Sequence, residues 1–143
     1  MSYLYIGFKG KNNPSNYIVN QLPGSHFFLT NSFSGIQKDI ESLETTCENI
    51  ILFGLNSKLK EEVQIEYCCE VDNERMTSNL DITKLKKTLS KFKMKNSYVP
   101  SHYLCNYAYY LLCKKFNSKV ILLHIPFSKE YADEILQALS EDH

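Results

Sequence analysis

The sequence predicts an α/β protein, a three-layer αβα sandwich around a mostly parallel twisted sheet, built as a single domain over residues 1–143. Three observations carry this expectation. Apolar runs of strand length alternate with amphipathic runs of helix length along the whole chain. Two of the apolar runs, Asn49 to Gly54 and Lys119 to Pro126, lack polar alternation, as strands covered on both faces do. A chain of 143 residues suits one hydrophobic core.

Tyr3 to Phe8 is a short apolar run and reads as a buried strand. Asn13-Pro14 then opens a helix, with Asn as the cap and Pro at the first position, where no backbone N–H is needed. Pro23-Gly24 stops it. His26 to Thr30 reads as a second strand, and a helix follows from about Ser34, with Ile36, Ile40 and Leu43 on one face. Asn49 to Gly54 is the third strand. Val63 to Cys69 alternates well enough to be a fourth, and Asp72 to Asn79 reads as an exposed loop. Ile82 to Phe92 has an apolar stripe of Ile82, Leu85, Leu89 and Phe92, and its lysines read as a solvated helix face. After Pro100 a helix starts with Ser101 as its expected cap and with Leu104, Ala108, Leu111 and Leu112 toward the core. Lys119 to Pro126 is the last strand, and Tyr131 to Leu139 the last helix.

Composition narrows the function. Sixteen basic and sixteen acidic residues cancel, so no overall field draws nucleic acid or an anionic membrane. No apolar run approaches the roughly 20 residues of a membrane span, and the first residues lack the pattern of a signal peptide. Five cysteines, two of them adjacent as Cys68-Cys69, suit neither a disulfide framework nor a CxxC zinc site. The expectation is a cytoplasmic protein with no metal, no cofactor and no nucleic-acid or membrane partner. The tyrosines around Cys105 suit either a homo-oligomer interface or a half-exposed surface.

Three residues point to chemistry. Cys105 falls near the start of its helix, where the positive end of the dipole favours a thiolate. His124 stands at the carboxyl end of an otherwise apolar strand, where ligands gather in open α/β sheets. Glu66 lies in a strand with apolar neighbours and is the kind of group that fixes a histidine tautomer. A cysteine nucleophile needs such a base, and the base needs an orienting partner. Taken alone, each has a plainer and commoner reading: a small buried hydrophobe, a core histidine, and a carboxylate on a solvated face.

Tyr103-Leu104-Cys105-Asn106-Tyr107, with Tyr110 beyond, resembles the nucleophile motif of the pyroglutamyl peptidases, also called pyrrolidone carboxyl peptidases. Leu123-His124-Ile125-Pro126 resembles that family's histidine segment. Phe53-Gly54-Leu55 with Ile65-Glu66 resembles its Val-Gly-Leu-Ala strand and the Glu of Glu-Arg-x-Ala. Ile6-Gly7-Phe8 and Asn13-Pro14-Ser15 are similar to its opening Gly-Phe and Asn-Pro-Ser, and Thr77 to Leu89 to the helix before the nucleophile. The matches run in family order.

The resemblance implies a cysteine exopeptidase that removes N-terminal pyroglutamate from peptides. It implies Cys105 as nucleophile, His124 as general base and acid, Glu66 as orienter, and Phe8 as a wall of the lactam pocket. The chain departs from the pattern where Pro100-Ser101 replaces Ala-Gly and where Ser57-Lys58-Leu59-Lys60 replaces a Gly-Arg loop. The family's second pocket phenylalanine has no counterpart, and Phe127 is the aromatic nearest in sequence to His124 that could take its place. Two further readings stay open: a hydrolase of the same fold with a rebuilt pocket for another acyl group, and a non-catalytic binding or interaction protein.

Overall fold

The computed structural model describes residues 3–101 and 103–141. The elements follow in the order β1 (Tyr3–Phe8), α1 (Pro14–Gln21), β2 (Ser25–Leu29), α2 (Phe33–Ser42), β3 (Asn49–Leu55), β4 (Glu62–Glu66), β5 (Cys68–Val71), β6 (Glu74–Thr77), α3 (Thr83–Thr88), β7 (Lys93–Ser97), α4 (Tyr103–Lys115), β8 (Val120–Ile125) and α5 (Lys129–Glu141). Six strands form one sheet in the order β2-β1-β3-β8-β4-β7. Neighbours run parallel except β4 against β8. The expected three-layer α/β architecture is what the chain adopts.

Strand alternation sorts the core into two layers. Ile51, Phe53, Leu123 and Ile125 pack with Ile18, Val19, Leu89, Ile135 and Leu139, which come from α1, the residues around α3, and α5. Ile50, Leu52, Val120 and Leu122 pack on the other face with Ile36 and Ile40 of α2 and Ala108, Tyr109 and Leu112 of α4. Each fully buried Ile or Leu contributes about 1.5–3 kcal/mol of transfer free energy. The central strands are therefore rigid platforms for whatever stands at their ends.

The β1–α1 corner shows how local chemistry fixes one of those ends. Asn13 Oδ1 accepts from the Ser15 backbone N–H at 2.9 Å and from its hydroxyl at 2.6 Å. Ser15 Oγ in turn accepts from the Phe8 N–H at 3.3 Å, and Asn16 Nδ2 donates to the Phe8 carbonyl at 3.1 Å. The end of β1, with Phe8 buried, is thus tied to the first turn of α1.

Three expectations need correction. The Val63–Cys69 run is two strands: Tyr67 breaks it, its N–H donating to the Ser97 carbonyl at 2.9 Å and its carbonyl accepting from Ser78 N–H at 2.8 Å. Asp72 to Asn79 is no loop. Asp72 and Asn73, at φ 50° and 66°, make the two-residue turn of a hairpin between β5 and β6. The helix of Ile82 to Phe92 closes after Thr88, and Lys93–Ser97 forms edge strand β7 beside β4. Exposed lysines at Lys93 and Lys95 flank half-buried Met94. Such lysines keep a free sheet edge from pairing with another chain. Helix α2 begins about where expected, with Ser32 as its cap, Oγ accepting from Gly35 N–H at 3.0 Å.

Candidate active site

The site grows from register. On one side of β8, His124 pairs with Gly54 of β3. On its other side, antiparallel β4 sets Gln64 opposite His124 and Glu66 opposite Leu122. Residues opposite one another share a face, and Leu122 faces α4. Gly54, His124 and Glu66 therefore all face α4 from three adjacent strands.

Helix α4 brings Cys105 to them. Cys105 is its third residue, in the first turn as expected, and is half-buried. The sulfur and the imidazole converge above Gly54. A Cβ built on that glycine would lie 2.8 Å from Cys105 Sγ, 2.9 Å from His124 Cδ2 and 3.0 Å from His124 Nε2. Only a hydrogen fits in that space, so the glycine is what lets thiol and ring meet. The sequence shows Gly54 as the end of a strand and gives no hint of this role; its placement opposite a strand-end histidine is the signal, and that needs register.

Behind the ring, His124 Nδ1 lies 3.2 Å from Glu66 Oε1, both side chains about 5% exposed. The pair is within ion-pair reach but out of line for a hydrogen bond: Nδ1 and Glu66 Oε2 have no hydrogen-bond partner among the described residues. The contact acts as charge against charge. Burial alone would lower the His124 pKa. The adjoining Cys105 and then Glu66, each as polar neighbour and negative charge, more than offset this and hold it at about 9. The buried Glu66 is not on a solvated face, and its backbone is fixed too, since the Tyr109 hydroxyl donates to the Glu66 carbonyl at 2.8 Å.

The start of α4 is held by the hairpin. Asn106 Nδ2 donates to the Glu70 carbonyl at 2.8 Å, and its Oδ1 accepts from Glu70 N–H at 3.0 Å, as a neighbouring strand would. The residue after Cys105 is thereby docked on β5. Tyr103, two residues before Cys105, has φ 70°. Backbone held in that region costs of order 1–3 kcal/mol and persists only where its surroundings enforce it. The expected Ser101 cap is not formed: α4 begins at Tyr103, and the buried Ser101 Oγ has no partner among the described residues. His102, between them, lies outside those residues.

Of the residues singled out from the sequence, Cys105, His124 and Glu66 come together. Phe8 is buried at the end of β1, in the core layer on the α4 side of the sheet. Phe127 is exposed after β8 and lines a cavity of about 510 Å³ with Lys11, Asn13, Tyr17 and Lys129, apart from the cysteine and histidine. Among the described residues no group of three or more His, Cys, Asp or Glu is placed to hold a metal, and no helix is long and apolar enough to cross a membrane.

No protein-family model matches the chain, and no curated protein matches it by sequence. Solved structures do match by shape. The pyrrolidone carboxyl peptidase of Thermus thermophilus superposes with a TM-score of 0.72 at 14% identity, over 96% of this chain and 99% of that one. The enzyme of Thermococcus litoralis gives 0.68 at 18%, over 99% and 94% of the two chains. Pyroglutamyl peptidase I of Bacillus amyloliquefaciens gives 0.66 at 14%, over 99% and 97%. The fold of this chain is that of the pyrrolidone carboxyl peptidases.

Proposed function

We propose that this chain, acting as a single domain, is a cysteine exopeptidase that releases N-terminal pyroglutamate from peptides. The observation that carries the reading is the convergence of Cys105 Sγ and His124 Nε2 above Gly54, with Glu66 behind the ring. Fold alone would not support it, because one fold hosts many functions. Five free thiols suit work in a reducing cytoplasm.

In this mechanism the Cys105 thiolate adds to the carbonyl carbon of the pyroglutamyl residue. Backbone N–H groups in the first turn of α4 face the developing oxyanion. The C–N bond breaks as His124, protonated on Nε2, gives that proton to the leaving amine, and a thioester remains on Cys105. Neutral His124 then takes a proton from water, hydroxide adds to the thioester, and the thiolate departs with free pyroglutamate. Glu66 keeps Nδ1 turned away from the sulfur and stabilises the imidazolium between steps. Phe8 is the apolar wall for the uncharged lactam, whose N–H and C=O require backbone partners rather than a charge.

Pyroglutamyl-, prolyl- and glutaminyl-coumarin amides assayed side by side test the substrate. The expected result is slow but clear release from the pyroglutamyl amide alone, since the charged amine of the other two would be desolvated without a partner. Equal rates on all three would mean the pocket does not select a lactam. No release from any, with Cys105 still reactive, would favour another acyl substrate.

The pH dependence has a definite sign. Folded His124 holds its proton to about 9, against 6.5 for the ordinary group. Its contribution to stability is complete below about pH 6.5 and is lost as pH rises through about 9. Melting temperature should fall across that window in the natural protein and stay flatter in His124→Gln. Turnover should fall along its alkaline limb near pH 9, where the general acid is deprotonated, and Glu66→Gln should move that limb to lower pH.

A further inference from the structure

Helix α4 begins without the serine cap its sequence suggests, yet it carries Cys105 in its first turn. The first backbone N–H groups of a helix have no partner inside it, so an uncapped first turn frays readily. Ser101 does not cap this one, and Tyr103 enters it at φ 70°. Cys105 Sγ must nevertheless stay in one place, because the space it shares with His124 above Gly54 admits nothing larger than a hydrogen. Something outside the helix has to hold the turn.

Asn106, the next residue, does so. Its side-chain amide takes both backbone groups of Glu70, Nδ2 donating to the carbonyl at 2.8 Å and Oδ1 accepting from the N–H at 3.0 Å. Strand β6 pairs with β5 on the opposite edge, with Arg75 across from Glu70. The amide therefore closes the edge of β5 that β6 leaves open. Further along the same side of α4, the Tyr109 hydroxyl donates to the Glu66 carbonyl at 2.8 Å. Both ties end on the stretch from Glu66 to Glu70, and the Glu66 carboxylate is the group behind His124. One short piece of chain thus sets where the thiol and the His124–Glu66 pair stand relative to each other. We infer that Asn106 is a positioning residue: by clamping the first turn of α4 to β5, it holds Cys105 Sγ against His124 Nε2 over Gly54. The role rests on Cys105 and His124 as the reacting pair of the proposed function.

The test compares Asn106→Ala with Lys114→Ala. Lys114, 3.1 Å from Glu74, also ties the hairpin to α4, but about two turns beyond Cys105. The ionisable groups against the His124 ring are Cys105 from α4 and Glu66 from β4, while β3 presents Gly54. Burial lowers the His124 pKa, and Cys105 is the larger of the two neighbours that raise it. Releasing the thiol should therefore bring the imidazole titration, followed by NMR, down from about 9 toward 6.5 in Asn106→Ala. Iodoacetamide should lose its preference for Cys105 over Cys47. On a pyroglutamyl amide kcat should fall about 100-fold, the cost of a misplacement of about 1 Å, with KM little changed. Lys114→Ala should match the natural protein in all three. If Asn106→Ala fails to fold by circular dichroism, Asn106→Gln, which keeps the amide and adds a methylene, should show the same changes at smaller size. A lower melting temperature with titration and labelling unchanged would make Asn106 a structural tie only and overturn the proposal. Equal changes in Lys114→Ala would overturn it too. If the natural protein cleaves no pyroglutamyl amide but Asn106→Ala still shifts the titration and the labelling, the peptidase reading falls and the positioning role stands. If it cleaves the amide and Asn106→Ala cleaves it equally well, the positioning role falls and the peptidase reading stands.

Discussion

His124→Ala is expected to abolish turnover, by at least about 10⁴-fold, and to destabilise the fold at the same time. From the sequence these look like exclusive outcomes, a cleft residue or a core residue. The structure joins them, since His124 is 4% exposed and also stands beside the Cys105 sulfur. Removing the ring leaves the equally buried Glu66 carboxylate without its partner. Breaking a buried ion pair from one side costs about 3–5 kcal/mol, which is a large share of the stability of a domain this size. The double variant His124→Ala/Glu66→Leu separates the two effects, because it removes the stranded charge. Its melting temperature should recover most of the loss, while its turnover should stay at the background. Recovery of activity with stability would mean that the ring only fills space.

Gly54→Ala is expected to cost about 100-fold or more in kcat with a modest loss of stability. The added methyl cannot sit 2.8 Å from Sγ and 3.0 Å from Nε2, so the thiol or the ring must move. Displacing reacting groups by about 1 Å costs about 100-fold. Both obstacles are ends of side chains, so the backbone survives, at an overpacking cost of about 1–3 kcal/mol. Gly7→Ala is the matched control: its Cβ would press on the Ser15 carbonyl at 3.0 Å and Val19 Cγ2 at 3.1 Å. It should lower the melting temperature more than it lowers turnover. Similar loss of activity from both glycines would indicate a general response to crowding rather than a site at Gly54.

The central sheet was legible because burial on both faces leaves an unmistakable mark. Residues 49–54 and 119–126 have few polar side chains to place, so only a covered strand accommodates them. Helix α1 was legible through its Asn-Pro start, which acts within a few residues. The hairpin and β7 were hidden for the opposite reason. They pair at edges, keep polar side chains in water, and owe their strand form to partners far along the chain. Asp72-Asn73 carries turn chemistry, but the arms beside it hold the charged Glu70, Glu74 and Arg75 and read as polar loop rather than strand.

The site divides along the same line. Cys105, His124 and Glu66 could be named because their residue types carry chemistry and stand at element ends or within apolar runs. Gly54 and the docking of Asn106 on Glu70 could not, since each is defined by what lies across the sheet or the helix.

The central claim is that Cys105 and His124 form one reactive unit, and thiol reactivity tests it most directly. Cys68, Cys69 and Cys113 are buried, whereas Cys47 and Cys105 are both partly exposed. Cys47 thus serves as an internal standard with similar access. Brief substoichiometric iodoacetamide at neutral pH, mapped by mass spectrometry, should label Cys105 well ahead of Cys47, and the preference should vanish in His124→Ala/Glu66→Leu. Equal labelling of Cys47 and Cys105 in the natural protein would contradict the account.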